Sequence, residues 1–151
     1  MISIPVDNFI RALGLDIVLE GKSLSINIGT SDVNRPGLQF AGFFDYFAED
    51  RIQVIGKVEM TYLDSMDPVT RAERLDRFFD SDIPCLVISR DMEIPPYLID
   101  PAKKHGCPVL RSKRETTSII HRMISYLDSE LAPKITRHGV LVDVYGVGIL
   151  L

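Results

Sequence analysis

Four places in the sequence gather residue types able to do chemistry. Ser89-Arg90 and Arg111-Ser112-Lys113, with Thr116 and Thr117 close behind, combine hydroxyls and cations. That combination can hold a phosphate through charge-assisted hydrogen bonds. His138 stands alone before Gly139, an imidazole able to pass a proton near neutral pH, and spacing by itself assigns it no task. Asp143 and Tyr145 set a carboxylate beside a phenol, but Asp-Val-Tyr-Gly is also how a hairpin turn is written, and we read it as the turn. Cys85 and Cys107 each adjoin a proline in an apolar run without Cys-x-x-Cys spacing, so both read as small buried hydrophobes. His105 reads as a cation at a helix C-terminus and His121 as a surface helix residue.

The elements that must position these groups follow from periodicity and punctuation. Val6, Phe9, Ile10 and Leu13 share one helical face ahead of Gly14. Asp16 to Glu20 and Leu24 to Ile28 predict two strands paired across Gly21-Lys22-Ser23. Thr30-Ser31-Asp32 offers turn and cap oxygens, and Arg35-Pro36-Gly37 breaks the chain before the apolar-aromatic run Leu38 to Phe47. Ser31, Asp32, Arg35, Arg51 and Gln53 read as an Asp-Arg pair holding that turn. Arg51 to Gly56 then predicts a buried strand, Lys57 to Met66 a helix, and Asp67-Pro68 the cap and first turn of another. Pro84 to Ser89 has the unbroken apolar character of a central parallel strand. Pro95-Pro96 opens a helix closed by Lys103-Lys104-His105-Gly106, although Pro101 confines it to a start near Ile99 or a kink after Tyr97.

Cys107 to Leu110 is another short strand, and Ser112-x-x-Glu115 has the spacing of a capping box before a long helix lined by Ile120, Ile124, Leu127 and Leu131. Alternating strands and helices from Arg51 to Leu131 predict an α/β fold, a small parallel or mixed sheet flanked by helices. Ser89-Arg90 and Arg111-Ser112-Lys113 then leave their strands at the same carboxyl edge, where open α/β sheets bind ligands. Thr116 and Thr117 begin a helix whose free amides attract anions. Two readings stay open: a small phosphorylated effector docks there, or Ser112 caps the helix and the cations are solvated.

The 151 residues carry 46% hydrophobic and 25% charged residues, as one globular domain does. Seventeen basic against twenty-one acidic residues, interspersed, leave no basic face for nucleic acid. No stretch approaches the roughly 20 apolar residues a membrane helix needs, and no signal peptide is legible, so a cytoplasmic protein is expected. The last residues form an apolar strand without a closing turn, so a longer natural chain is expected.

Three stretches carry a family resemblance: Thr-Ser-Asp-Val-Asn-Arg-Pro-Gly-Leu-Gln-Phe-Ala-Gly-Phe-Phe-Asp-Tyr-Phe at 30–47, Glu-Asp-Arg-Ile-Gln-Val-Ile-Gly-Lys-Val-Glu at 49–59, and His-Gly-Val-Leu-Val-Asp-Val-Tyr-Gly-Val-Gly-Ile-Leu-Leu at 138–151. Together they resemble the bacterial HPr kinase/phosphorylase family. The segments Ile83 to Arg90 and Lys103 to Lys113 are similar too. The resemblance implies a bifunctional enzyme of carbon catabolite repression. Such an enzyme phosphorylates a serine of HPr, the phosphocarrier of the sugar phosphotransferase system, with ATP or pyrophosphate and Mg²⁺, and removes the phosphate by phosphorolysis.

It further implies a homohexamer whose C-terminal domain holds a Walker-type loop, while the N-terminal domain resembles the first domain of muramyl-peptide ligases. On this pattern residues 1–131 are the N-terminal domain, 132–135 a linker and 136–151 the opening strands of the kinase domain. His138 matches an active-site histidine. The phosphate loop Gly-x-x-x-x-Gly-Lys-Ser/Thr is absent from the 151 residues, which are therefore expected to be inactive alone and to hold no metal. The alternative is a stand-alone ligand-binding or assembly module, in the latter case using the apolar run Leu38 to Phe47.

Overall fold

The computed structural model describes residues 2–133. The chain opens with β1 (Ile4–Pro5), α1 (Val6–Leu13), β2 (Asp16–Leu19), β3 (Asn27–Ile28), β4 (Val33–Asn34) and α2 (Gly37–Phe40). There follow β5 (Ile52–Ile55), α3 (Lys57–Ser65), α4 (Pro68–Phe79), β6 (Leu86–Ile88), α5 (Pro96–His105), β7 (Val109–Arg111) and α6 (Thr116–Leu131).

A mixed five-stranded sheet has the order β2-β7-β6-β5-β4, with β4 to β7 parallel and β2 antiparallel on β7. The steps β4→β5→β6→β7 all run the same way across the sheet. Right-handed crossovers taken in one direction deliver their helices to one face, so α2 to α5 share a layer. α6 follows the last parallel strand and turns to the other face, where it meets α1.

Strand alternation feeds both layers. Val54, Val87 and Leu110 pack with Phe9, Ile10, Ile119, Met123 and Leu127. Ile55, Leu86, Ile88 and Val109 pack with Phe40, Met60, Leu63, Leu75, Phe78 and Leu98. Each fully buried Leu, Ile or Phe contributes about 1.5–3 kcal/mol of transfer free energy. The ends of several helices follow their sequence signals: Gly14 and Gly106 end α1 and α5 in the left-handed region, and Asp67 Oδ2 accepts from the Thr70 amide at 3.1 Å.

Three expectations are corrected. Asp16–Leu19 and the segment ending at Ile28 form no hairpin: β2 joins β7, with Ile17 opposite Leu110, and β3 joins β1, with Ile4 opposite Ile28. The cause is the turn between them, where the Lys22 amide donates to Gly106 O at 2.8 Å. A Cβ on Gly21 would stand 2.5 Å from that same oxygen, so the turn lies against the start of β7 and pulls its flanking strands apart.

α5 starts at Pro96, ahead of the start expected near Ile99, and continues through Pro101. The first turn of a helix needs no amide bonds and Pro101 forfeits only the one to Tyr97, while Leu98 and Ala102 on either side are fully buried. Ser112 and Glu115 make no capping box, because α6 starts at Thr116 with no side-chain cap, and Ser112 Oγ accepts instead from the Arg114 amide at 3.1 Å.

Candidate functional site

The carboxyl ends of the four parallel strands come out at one edge, and each hands over to a chemically loaded loop: Arg35 after β4, Gly56-Lys57 after β5, Ser89-Arg90 after β6, and Ser112 leading to Thr116 after β7. The loops are tied together. The Arg90 amide donates to Arg114 O at 2.7 Å and the Asp91 amide to Ser112 O at 2.8 Å. Those bonds hold Arg90 and Asp91 at φ 61° and 51°, a left-handed pair that ordinary residues adopt at a cost.

Beneath the rim lies a floor of buried polar groups. Ser89 and Thr116, both buried, share a hydroxyl contact of 2.5 Å, and Ser89 Oγ also donates to Ile55 O at 3.4 Å. The pair fastens the start of α6 to the ends of β5 and β6. Glu59, 6% exposed, accepts from the Gly56 amide at 2.7 Å and from Arg35 Nη2 at 2.9 Å. A side chain at Gly56 would strike Thr116 Oγ1 at 2.5 Å and Arg35 Nη2 at 2.7 Å, so only glycine lets the guanidinium lie there.

Above the floor is a cavity of about 170 Å³ lined by Arg35, Lys57, Val58, Arg90, Glu115, Thr116 and Thr117. Of the residues read from the sequence as an anion site, Arg90, Thr116 and Thr117 line it. Ser89 lies in the floor with its hydroxyl engaged, Ser112 is buried and bonded to the Arg114 amide, and Lys113 is exposed outside it. Arg111 turns to Asp91, 3.2 Å away. Sequence reasoning missed Lys57 and assigned Arg35 to an Asp-Arg pair holding the Pro-Gly turn. For Lys57 the signal was available, since a cation directly after the expected strand Arg51 to Gly56 must reach this edge, whereas Arg35 required recognising the two residues Val33–Asn34 as a strand.

The expected Asp-Arg pairing also divides. Asp32 stands 3.9 Å from Arg51, while Arg35 faces Glu59. Gln53, wholly buried, accepts from Asn34 Nδ2 at 2.7 Å and donates to Ala48 O and Arg51 O.

A second, larger groove of about 440 Å³ separates α4 from α5 and includes Arg71, Asp76, Tyr97 and Lys104. Asp76 Oδ1 meets His105 Nε2 at 2.8 Å and Lys104 Nζ at 2.9 Å. Those two partners, His105 first, hold the Asp76 carboxyl below the usual range. The Arg71 guanidinium lies 3.7 Å over the Tyr97 ring, whose hydroxyl bonds Asp64. Burial first, then Asp64, raises the Tyr97 phenol. Burial also raises both thiols, Cys107 to about 12. His121 is exposed on α6. His138, Asp143 and Tyr145 lie outside the described residues. Among the described residues no His, Cys, Asp and Glu cluster suits a metal ion, and no helix is long and apolar enough to cross a membrane.

A mostly parallel five-stranded sheet between two helical layers defines an α/β domain. The chain belongs to the HPr Serine kinase N terminus family, which matches residues 4–127. It is 52% identical over all 151 residues to an HPr kinase/phosphorylase of Thermoanaerobacter sp. (strain X514), covering 50% of that protein. It is 45% identical over 148 residues, 98% of this chain, to the HPr kinase/phosphorylase of Clostridium acetobutylicum, covering 48% of it. The chain thus spans about half the length of the curated relatives it matches. Its fold is similar to the crystal structure of the CBS and DRTGG domains of the regulatory region of Clostridium perfringens pyrophosphatase complexed with its activator, diadenosine tetraphosphate. The TM-score is 0.52 at 16% identity, covering 79% of this chain and 45% of that one, a likeness of fold alone.

Proposed function

We propose that these residues are the N-terminal half of a bifunctional HPr serine kinase/phosphorylase of the cytoplasm that regulates carbon catabolite repression and sugar uptake. The observation that carries the reading is 52% identity sustained over the whole chain with a protein of that name twice as long. In this reading residues 1–131 are the N-terminal domain, 132–135 the linker and 136–151 the opening strands of the kinase domain. HPr is the protein substrate, and the complete enzyme is a homohexamer.

ATP or pyrophosphate with Mg²⁺ would supply the phosphoryl group and neutralise its charge in the complete enzyme. The residues present do not fit them: the sequence has no phosphate loop, and the described residues offer no metal cluster. No transfer step is therefore assigned to the described half. His138 is assigned to the active site of the longer protein, where an imidazole gives acid-base or electrostatic help.

The test compares the 151-residue chain with the complete natural gene product, each incubated with HPr, ATP and Mg²⁺, and reads phosphoserine by mass spectrometry. Only the complete protein forms phosphoserine, and His138→Ala slows it about 10²–10⁴-fold, the scale of a positioned proton-transfer group. Transfer by the 151-residue chain, or none by the complete protein, overturns the reading.

A further inference from the structure

We infer that the carboxyl-edge cavity binds a phosphate group, as inorganic phosphate or a phosphomonoester, through Arg35, Lys57 and Arg90. This goes beyond the kinase reading and does not depend on it.

Charge favours an anion at this edge. The chain as a whole is acidic, at −4, yet three cations from three separate crossover loops converge on this one small space. Two carboxylates accompany them. Glu59 lies beneath Arg35 and is already engaged by it and by the Gly56 amide, and Glu115 is exposed on the wall. Neither Lys57 nor Arg90 has an ion-pair partner among the described residues. Cations gathered without partners repel one another, and an anion between them relieves that cost.

The cations are also held in place before any ligand binds. Arg35 is set in place by a buried glutamate and by the missing side chain of Gly56, and it spends only one of its N–H donors on Glu59. The backbone bonds to Arg114 and Ser112 fix the Arg90 turn. The rim is thus built before a ligand arrives, which lowers the ordering cost of binding.

Size selects the ligand class. About 170 Å³ is room for a phosphate group and not for the rest of an ester as well. The open side leaves an ester substituent in solvent. The Ser89 and Thr116 hydroxyls are occupied with each other and serve as floor, so the recognition is ionic and falls with salt.

The experiment uses the 151-residue chain without HPr or nucleotide, so its failure would leave the kinase reading standing. Thermal melts and amide-resolved NMR titrations are run with inorganic phosphate and with glycerol 3-phosphate, against chloride at equal ionic strength. At ten times a millimolar dissociation constant the melting temperature rises about 3–6 °C. The amides of Lys57, Arg90, Thr116 and Thr117 shift saturably. Saturation by either anion supports the inference, and the tighter of the two identifies the source.

Lys57→Gln with Arg90→Asn removes most of the rise. Both side chains are exposed, and Asn tolerates the left-handed backbone at position 90, so the fold is kept. Lys113→Ala, outside the cavity, leaves the rise intact. An equal rise in chloride, an undiminished rise in the double variant, or its loss in Lys113→Ala overturns the inference.

Discussion

Between α4 and α5 the acids and bases find each other; at the carboxyl edge of the sheet two of the three cations do not. Asp76 takes both Lys104 and His105, Asp80 stands 3.6 Å from the other nitrogen of His105, and Arg71 lies on Tyr97. That groove is the larger, about 440 Å³ against 170 Å³, but Asp76, Lys104 and His105 are engaged there in joining two helices. The edge leaves Lys57 and Arg90 without ion-pair partners among the described residues, above a buried layer in which the hydroxyls and the carboxylate are engaged. Unspent charge on a rigid floor, and not volume, marks the candidate site.

Glu59 carries the largest expected effect. If the rim is anchored from below, Glu59→Ala frees Arg35 and leaves the Gly56 amide without its acceptor, at a cost of about 2–3 kcal/mol in urea denaturation. Glu59→Gln, which keeps an accepting oxygen, loses less. A cost below about 0.5 kcal/mol for the alanine variant, the level of an ordinary surface change, would show that the floor is no anchor.

The hydroxyl pair sharpens the same point. Ser89→Ala strands the Thr116 hydroxyl and costs about 1–2 kcal/mol. Removing both hydroxyls with Ser89→Ala and Thr116→Val costs less than the two single changes added together, because no polar group is left without a partner. Strict additivity in the double-mutant cycle would mean that the two side chains act separately.

The fold was legible where local pattern decides and illegible where distant pieces choose partners. Ile52–Ile55 and Leu86–Ile88 announce buried strands by composition, and Asp67-Pro68 and Gly106 announce helix ends by conformational preference. Nothing local tells Asp16–Leu19 to pair with Val109–Arg111 and not with its neighbour; the turn at Gly21-Lys22 settles that by resting on Gly106, some eighty-five residues away. The site was half legible for the same reason. Arg90 and Thr116 follow recognisable strands, whereas Arg35 follows one of only two residues, whose register with Ile52 and Gln53 is set by β5.

The smallest effect belongs to the paired groove. The Asp76 carboxyl is held below its unfolded value chiefly by His105 and then by Lys104. A group whose folded pKa is depressed adds stability that is complete above its unfolded pKa and is lost as pH falls through the folded one. The part of the stability difference between wild type and Asp76→Asn that comes from the carboxylate's own titration is therefore complete above its unfolded pKa and shrinks below about pH 4, where the carboxylate of the unfolded chain also protonates. Since Asp76 and Lys104 are both largely solvated and the interaction is screened by salt, the plateau is small, and raising NaCl reduces it further. The same salt series run on phosphate binding at the edge separates the two clusters: added salt weakens a small internal clasp in the groove, whereas at the rim it competes directly with the ligand. A plateau in Asp76→Asn larger than the loss from Ser89→Ala would invert the ranking and make the groove the main electrostatic anchor of the domain.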